Sequence, residues 1–460
     1  MKNIFYYKLS LLMVNILMFS SCSEDKLVSE NINEKRYEVP EHNIAVLTDK
    51  FGNVQSSLRT FRNTGKTDLY VSANEFVSSD VTFEICYDES KAANKELEVD
   101  GKKYPVLPED LVVVPSDIML QKGEKKSSAI SIQYSTESGL ERNGIYAIPL
   151  KLKDADINEV SLSETNSSFV LLVKDLSKNP TPEKASGVKM ISITYHNNSN
   201  PLNHTLYRLQ DSKKPLFDMV VLFSASLVAN DMTSRPELVF TSKSLDYEKY
   251  IKPLQDMGIE VVLSILPYWD GVGLANLSES GAKYLAQQLK DCVDTYNLDG
   301  VFFDEEYAGY NGRTGEDYVT PSAEAASRLV YEVKKMMPDK KMVIFHWDLL
   351  QRMVSVDGVP VKDFVDVVVN NYNDHWDHSA DFGLSPKEMA VSSQEMALGY
   401  FPNESQLMNV KNNYGYNMIF ALEPFAVDFY TKQLPQLQKT CRILFDEELE
   451  ISGSFYPFEL

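Results

Sequence analysis

Cysteine, histidine and positive charge are the scarce commodities of this chain. It has four cysteines and six histidines in 460 residues. Cys86, Cys292 and Cys441 lie far apart, with no Cys-x-x-Cys spacing, so a disulfide framework or thiolate metal site is not expected and all three are read as small buried side chains. No His-Glu-x-x-His grouping occurs, so neither a catalytic metal nor any other cofactor is expected. Lysine and arginine number 45 against 66 acidic residues, a formal charge of −21. That balance excludes a nucleic-acid partner, which demands a basic footprint. A neutral sugar is indifferent to it.

Apolar runs long enough to span a membrane are also missing; the leading one, Leu9 to Phe19 behind the basic start Met1-Lys2-Asn3, is short and has the form of an export signal. It ends in Phe19-Ser20-Ser21-Cys22, which resembles a bacterial lipobox, and the acidic Ser23-Glu24-Asp25 resembles a surface-export tag. Residues 1–22 are therefore expected to be a lipoprotein signal, with Cys22 lipidated at the outer-membrane surface, and residues 23–41 a polar tether. From 42 to 177 the pattern is period 2, as in Val81, Phe83, Ile85 and Tyr87, with turns and no long helix: an all-β sandwich. Residues 178–187, rich in proline and polar side chains, form a linker. From 188 to 460 short apolar runs alternate with helical segments, the mark of parallel β/α units. The runs are 190–194, 219–223, 261–265, 301–303, 342–345, 365–369, 396–400 and 419–422, which suit a (β/α)8 TIM barrel. A helix ends near Tyr296, with Leu285, Leu289 and Cys292 inward, and another is expected from Thr320-Pro321. Helices after the first and fifth runs are poorly marked.

The fourth run leads into Leu298-Asp-Gly-Val-Phe-Phe-Asp-Glu-Glu-Tyr307. Period 2 puts Phe302, Asp304 and Glu306 on one side and Val301, Phe303 and Glu305 on the other. A barrel strand ending in carboxylates delivers them to the C-terminal rim, where barrel chemistry is built. This stretch resembles the glycoside hydrolase family 18 signature Asp-Gly-x-Asp-x-Asp-x-Glu, with Phe302 where the family has its first core Asp. The flanks Val262-Leu-Ser-Ile-Leu, Gly273-Leu-Ala-Asn-Leu-Ser and Leu285-Ala-Gln-Gln-Leu-Lys-Asp resemble the endo-β-N-acetylglucosaminidases of that family in the same order.

The resemblance implies a substrate-assisted retaining mechanism: the sugar's 2-acetamido oxygen is the nucleophile, Glu306 the general acid and then base, and Asp304 the acceptor that orients the acetamido nitrogen. Without an acidic neighbour at 302, Asp304 is expected to stay ionised. Tyr372, in Asp366-Val-Val-Val-Asn-Asn-Tyr372, matches the tyrosine that donates to the acetamido carbonyl; a packed loop residue is the plainer reading. Asn370 and Asn371, Trp269, Trp347 and Trp376 near strand ends, Glu423 at the eighth run and Asn198 after the first are candidate sugar contacts, since aromatic faces cover sugar rings and amides or acids read hydroxyls. The expectation is a monomeric surface lipoprotein that hydrolyses the GlcNAc-β-1,4-GlcNAc core of N-glycans. A chitinase and a non-catalytic glycan-binding protein are the alternatives.

Overall fold

A computed structural model describes residues 43–55, 58–137, 139–153, 160–162, 167–194, 199–240 and 244–457. Cys22, the export signal and the tether lie outside these residues, as does Asn198. In Val81–Tyr87 the alternation is realised directly: Val81, Phe83, Ile85 and Tyr87 are buried, while Thr82 and Glu84 between them are exposed. That strand belongs to one of two five-stranded sheets. The other is centred on Thr64–Ala73, and the two share a core in which Leu69, Phe83, Ile132, Leu150 and Leu171 are sealed from water. Cys86, expected in that core, points the other way and is half-exposed, as its place between Ile85 and Tyr87 dictates.

Eight parallel strands follow: β1 (Lys189–Ile193), β2 (Met219–Ala229), β3 (Glu260–Pro267), β4 (Gly300–Phe303), β5 (Lys341–His346), β6 (Val367–Asn370), β7 (Met389–Glu395) and β8 (Tyr416–Phe420). They close into a barrel because Ile191 of β1 pairs with both Met219 of β2 and Met418 of β8. An antiparallel strand, Pro236–Phe240, extends the far end of β2. Helix α1 (Glu279–Thr295) is capped by the Ser278 hydroxyl, which accepts from the Gly281 amide at 3.2 Å, and buries Leu285, Leu289 and Cys292. Helix α2 (Ala323–Met336) starts after Thr320-Pro321, because Ser322 provides the cap. It buries Leu329, Val330 and Val333. α3 (Glu404–Asn413) and α4 (Leu434–Phe445) follow the last two strands in the chain. Among the described residues β1, β5 and β6 are followed by short 3-10 turns instead of full helices.

The expected seventh strand, 396–400, is a turn, with Gly399 at φ +80° and its amide donating to the Glu395 carbonyl. The strand lies earlier because part of its polar second half finds partners in the interior. The Ser393 hydroxyl donates to the Asn370 carbonyl, and Gln394 Oε1 accepts from Gln436 at 2.9 Å.

The linker is pinned to both domains. Arg62 donates to the carbonyls of Leu176, Asn179 and Pro180. Lys184 is buried against Asp218, whose Oδ2 also accepts from the Met190 amide at 2.7 Å. Arg59–Asp339 at 2.8 Å, and Asn143 donating to Asp256 at 3.0 Å, bridge the sandwich to the barrel.

Candidate active site

The end of β4 distributes its side chains as pleat geometry requires. Val301 and Phe303 enter the layer between strands and helices, and Phe302 enters the barrel lumen with Phe223, Val343 and Phe345. Phe302 is 1% exposed, its ring 6.1 Å from that of Phe345. Beyond it Asp304 and Glu306 line a cavity of about 340 Å³ together with Phe223, Phe345, Tyr307, Tyr372, Glu395 and Phe420. Among the described residues lining this cavity, none is basic.

Asp304 is buried, and its Oδ1 accepts from the Glu306 amide at 3.2 Å. Burial, and secondly the Glu306 carboxyl, push its pKa well above the ordinary range. This corrects the expectation of a persistently ionised Asp304: replacing the acidic neighbour by Phe302 removes one like charge, but it also dries the site and leaves Glu306 close by. Burial likewise raises Glu306, against a hydrogen bond from Tyr307 that lowers it. A carboxyl whose pKa is raised beside a cavity keeps its proton to higher pH, which favours the role of general acid.

Tyr372 leans on Phe345 (6.1 Å) and Phe420 (6.0 Å). Burial, then the carboxyls of Asp304, Glu306 and Glu395, push its hydroxyl up, so it keeps its proton and serves as a donor. Glu395, at the end of β7, is not among the sequence-derived candidates because β7 begins seven residues before the expected run and its Ser392-Ser393-Gln394 interrupts the apolar pattern. Glu305 faces away from the cavity. Its carboxylate accepts from the amides of Leu274 (2.7 Å) and Ala275 (3.3 Å), fixing the loop after β3 against β4.

The candidate sugar contacts divide. Exposed Trp269 stacks obliquely on Tyr307, centroids 5.2 Å apart, and its amide donates to the Tyr307 carbonyl at 2.8 Å. Trp347 lies parallel to Phe345 at 6.3 Å. Both therefore adjoin residues of the cavity wall. Trp376 is exposed on the loop after β6. Asn370 is fully buried and donates to the carbonyls of Trp376 (2.9 Å) and Asp374 (3.3 Å), so it braces that loop instead of facing the cavity. Asn371 accepts from the Asn373 amide within the same loop. Half-buried Glu423 accepts from the Phe425 amide at 3.1 Å and lies off the cavity wall.

Comparison with known proteins decides the family. Endo-β-N-acetylglucosaminidase F1 of Elizabethkingia meningoseptica is 41% identical over 282 residues, covering 59% of this chain and 82% of the relative. The chain belongs to the endo-β-N-acetylglucosaminidases of glycoside hydrolase family 18. A Flavobacterium sp. (strain SK1022) endo-β-N-acetylglucosaminidase is 26% identical to this endoglycosidase over 222 residues, 47% of the chain and 68% of the relative. Two crystal structures of Bacteroides thetaiotamicron EndoBT-3987 match nearly the whole endoglycosidase at 27% identity. The one with Man5GlcNAc product has TM-score 0.67 and covers 89% of this chain and 97% of that one. The one with Man9GlcNAc2Asn substrate has TM-score 0.65 and covers 89% and 96%. A family described as an N-terminal domain matches residues 40–159.

Proposed function

We propose that this endoglycosidase hydrolyses the β-1,4 bond between the two GlcNAc residues of the N-glycan core, using the substrate's acetamido group as nucleophile. The observation that carries this reading is the convergence of Asp304, Glu306 and Tyr372 on one aromatic-walled cavity without a basic group. Support for the substrate class comes from EndoBT-3987, solved with Man9GlcNAc2Asn.

Glu306 gives its proton to the glycosidic oxygen while the acetamido oxygen closes on the anomeric carbon, and the bond to the leaving sugar breaks. Tyr372 donates to the acetamido oxygen and holds it in line. Asp304 faces the acetamido nitrogen, where positive charge develops; an adjacent cation favours the charged carboxylate and offsets its burial. Glu306, now ionised, takes a proton from the water that opens the oxazolinium ion.

Glu306→Gln is expected to lower hydrolysis by about 10²–10⁴-fold. Asp304→Asn, supplied with a synthetic glycan oxazoline, is expected to transfer the glycan to a GlcNAc acceptor while barely hydrolysing the product. A glycan ester on an enzyme carboxyl, seen by intact-mass analysis, would instead assign the nucleophile to the protein, with Glu395 the first suspect.

We further infer that the enzyme acts as a monomer at the outer-membrane surface, anchored through lipidated Cys22 with the sandwich as spacer. Among the described residues no helix is long and apolar enough to cross a membrane. Cys22→Ala is expected to release the protein from the membrane fraction; equal retention of both forms would refute the anchor.

A further inference from the structure

Outside the cavity, the structure brings one side chain of β5 against two from the loop after β6. His346 is the last residue of β5, while Asp374 and His378 lie on the loop after β6. Their ligand atoms lie within 4.8 Å of one another. The two imidazoles stack with centroids 4.0 Å apart and planes 23° from parallel. Asp374 Oδ2 is 2.9 Å from His378 Nε2 and 3.7 Å from His346 Nδ1.

We propose that His346, Asp374 and His378 bind one divalent transition-metal ion of the zinc class, which clamps the loop after β6 to the end of β5.

The first argument is an unmet need. His346 is 4% exposed, and its Nδ1 is buried with no hydrogen-bond partner. At 3.7 Å the Asp374 oxygen is too far to satisfy it. A proton shared between His378 and Asp374 would settle those two groups and leave His346 Nδ1 orphaned; a metal ion serves all three.

The second argument is orientation. The other oxygen of Asp374 accepts from the Trp376 amide at 3.0 Å, which leaves Oδ2 turned toward the histidines. On the far side of His378, Nδ1 lies 3.4 Å from Asp381 Oδ2. With an ion on the Nε2 side, this carboxylate lies where it can favour the proton on Nδ1, the arrangement that supports metal-bound histidine. Two imidazoles and one carboxylate suit zinc-like ions and leave a fourth position open. None of the three lines the cavity of Asp304 and Glu306. Tyr372 sits on the clamped loop, so the ion would stiffen a catalytic element without touching substrate.

The test is calorimetric titration of the tag-free mature enzyme with zinc chloride, with calcium chloride as the control for the acidic surface. One saturable equivalent of zinc is expected, with calcium far weaker. His378→Ala and Asp374→Asn, on a partly exposed loop, should each weaken zinc binding by about 10-fold or more. Zinc should raise the melting temperature of the native enzyme and not of either variant. Absence of saturable zinc binding, calcium binding of equal strength, or undiminished affinity in both folded variants would overturn the proposal.

Discussion

Phe302→Asp would restore the family's acidic residue, yet it is expected to harm this enzyme. The ring is 1% exposed and packs among Phe345, Val262, Val343 and Val367 in the barrel lumen. Truncating a buried phenylalanine costs about 3–5 kcal/mol. The introduced carboxyl would sit on the same side of β4 as Asp304, and two carboxyls in a dry site share one proton. Against a typical total stability of about 5–15 kcal/mol, the loss is a large fraction. All three tryptophans lie in the barrel, so indole fluorescence in urea reports barrel unfolding without the sandwich. The midpoint should fall by at least about 1 M, given a slope of about 1–3 kcal/mol/M. Phe302→Leu, which keeps an apolar side chain, should fall less. A Phe302→Asp enzyme as stable as the native one and more active would show that the position faces a polar site, and would refute the packing argument.

Three further outcomes follow from buried charges. Asp304 binds its proton more tightly folded than unfolded, so ionising it costs stability as pH rises from the ordinary carboxylate range through its raised value. Asp304→Asn should therefore lose less stability than the native enzyme over that rise in urea titrations at stepped pH; a steeper loss would reverse the sign of the argument. Lys184→Met should cost about 3–5 kcal/mol, because Asp218 remains buried without its counter-charge, and Asp218→Asn in the same chain should recover part of it. By the same reasoning a barrel begun at Lys178 should resist urea better than one begun at Ala185, which lacks Lys184; equal midpoints would show that the pair contributes nothing.

Periodicity alone determined the two architectures. Period 2 in Val81–Tyr87 and the short apolar runs after residue 188 are local consequences of backbone geometry, as is the shared face of Phe302, Asp304 and Glu306. Length and polarity misplaced β7, since Ser393 and Gln394 are tolerated inside only because Asn370 and Gln436, distant in sequence, supply their partners. The ionisation of Asp304 was equally out of reach: a pKa depends on what surrounds a carboxyl, and the aromatic wall comes from β2, β5 and β8. Glu305, spaced like a solvent-facing strand end, is buried because the loop after β3 offers it two amides. Asn370 carried the right chemistry for a sugar contact, but its side-chain nitrogen is committed to bracing its own loop. His346 and His378, unremarkable in sequence, meet because β5 and β6 are neighbours in a closed barrel, a proximity that only tertiary structure creates.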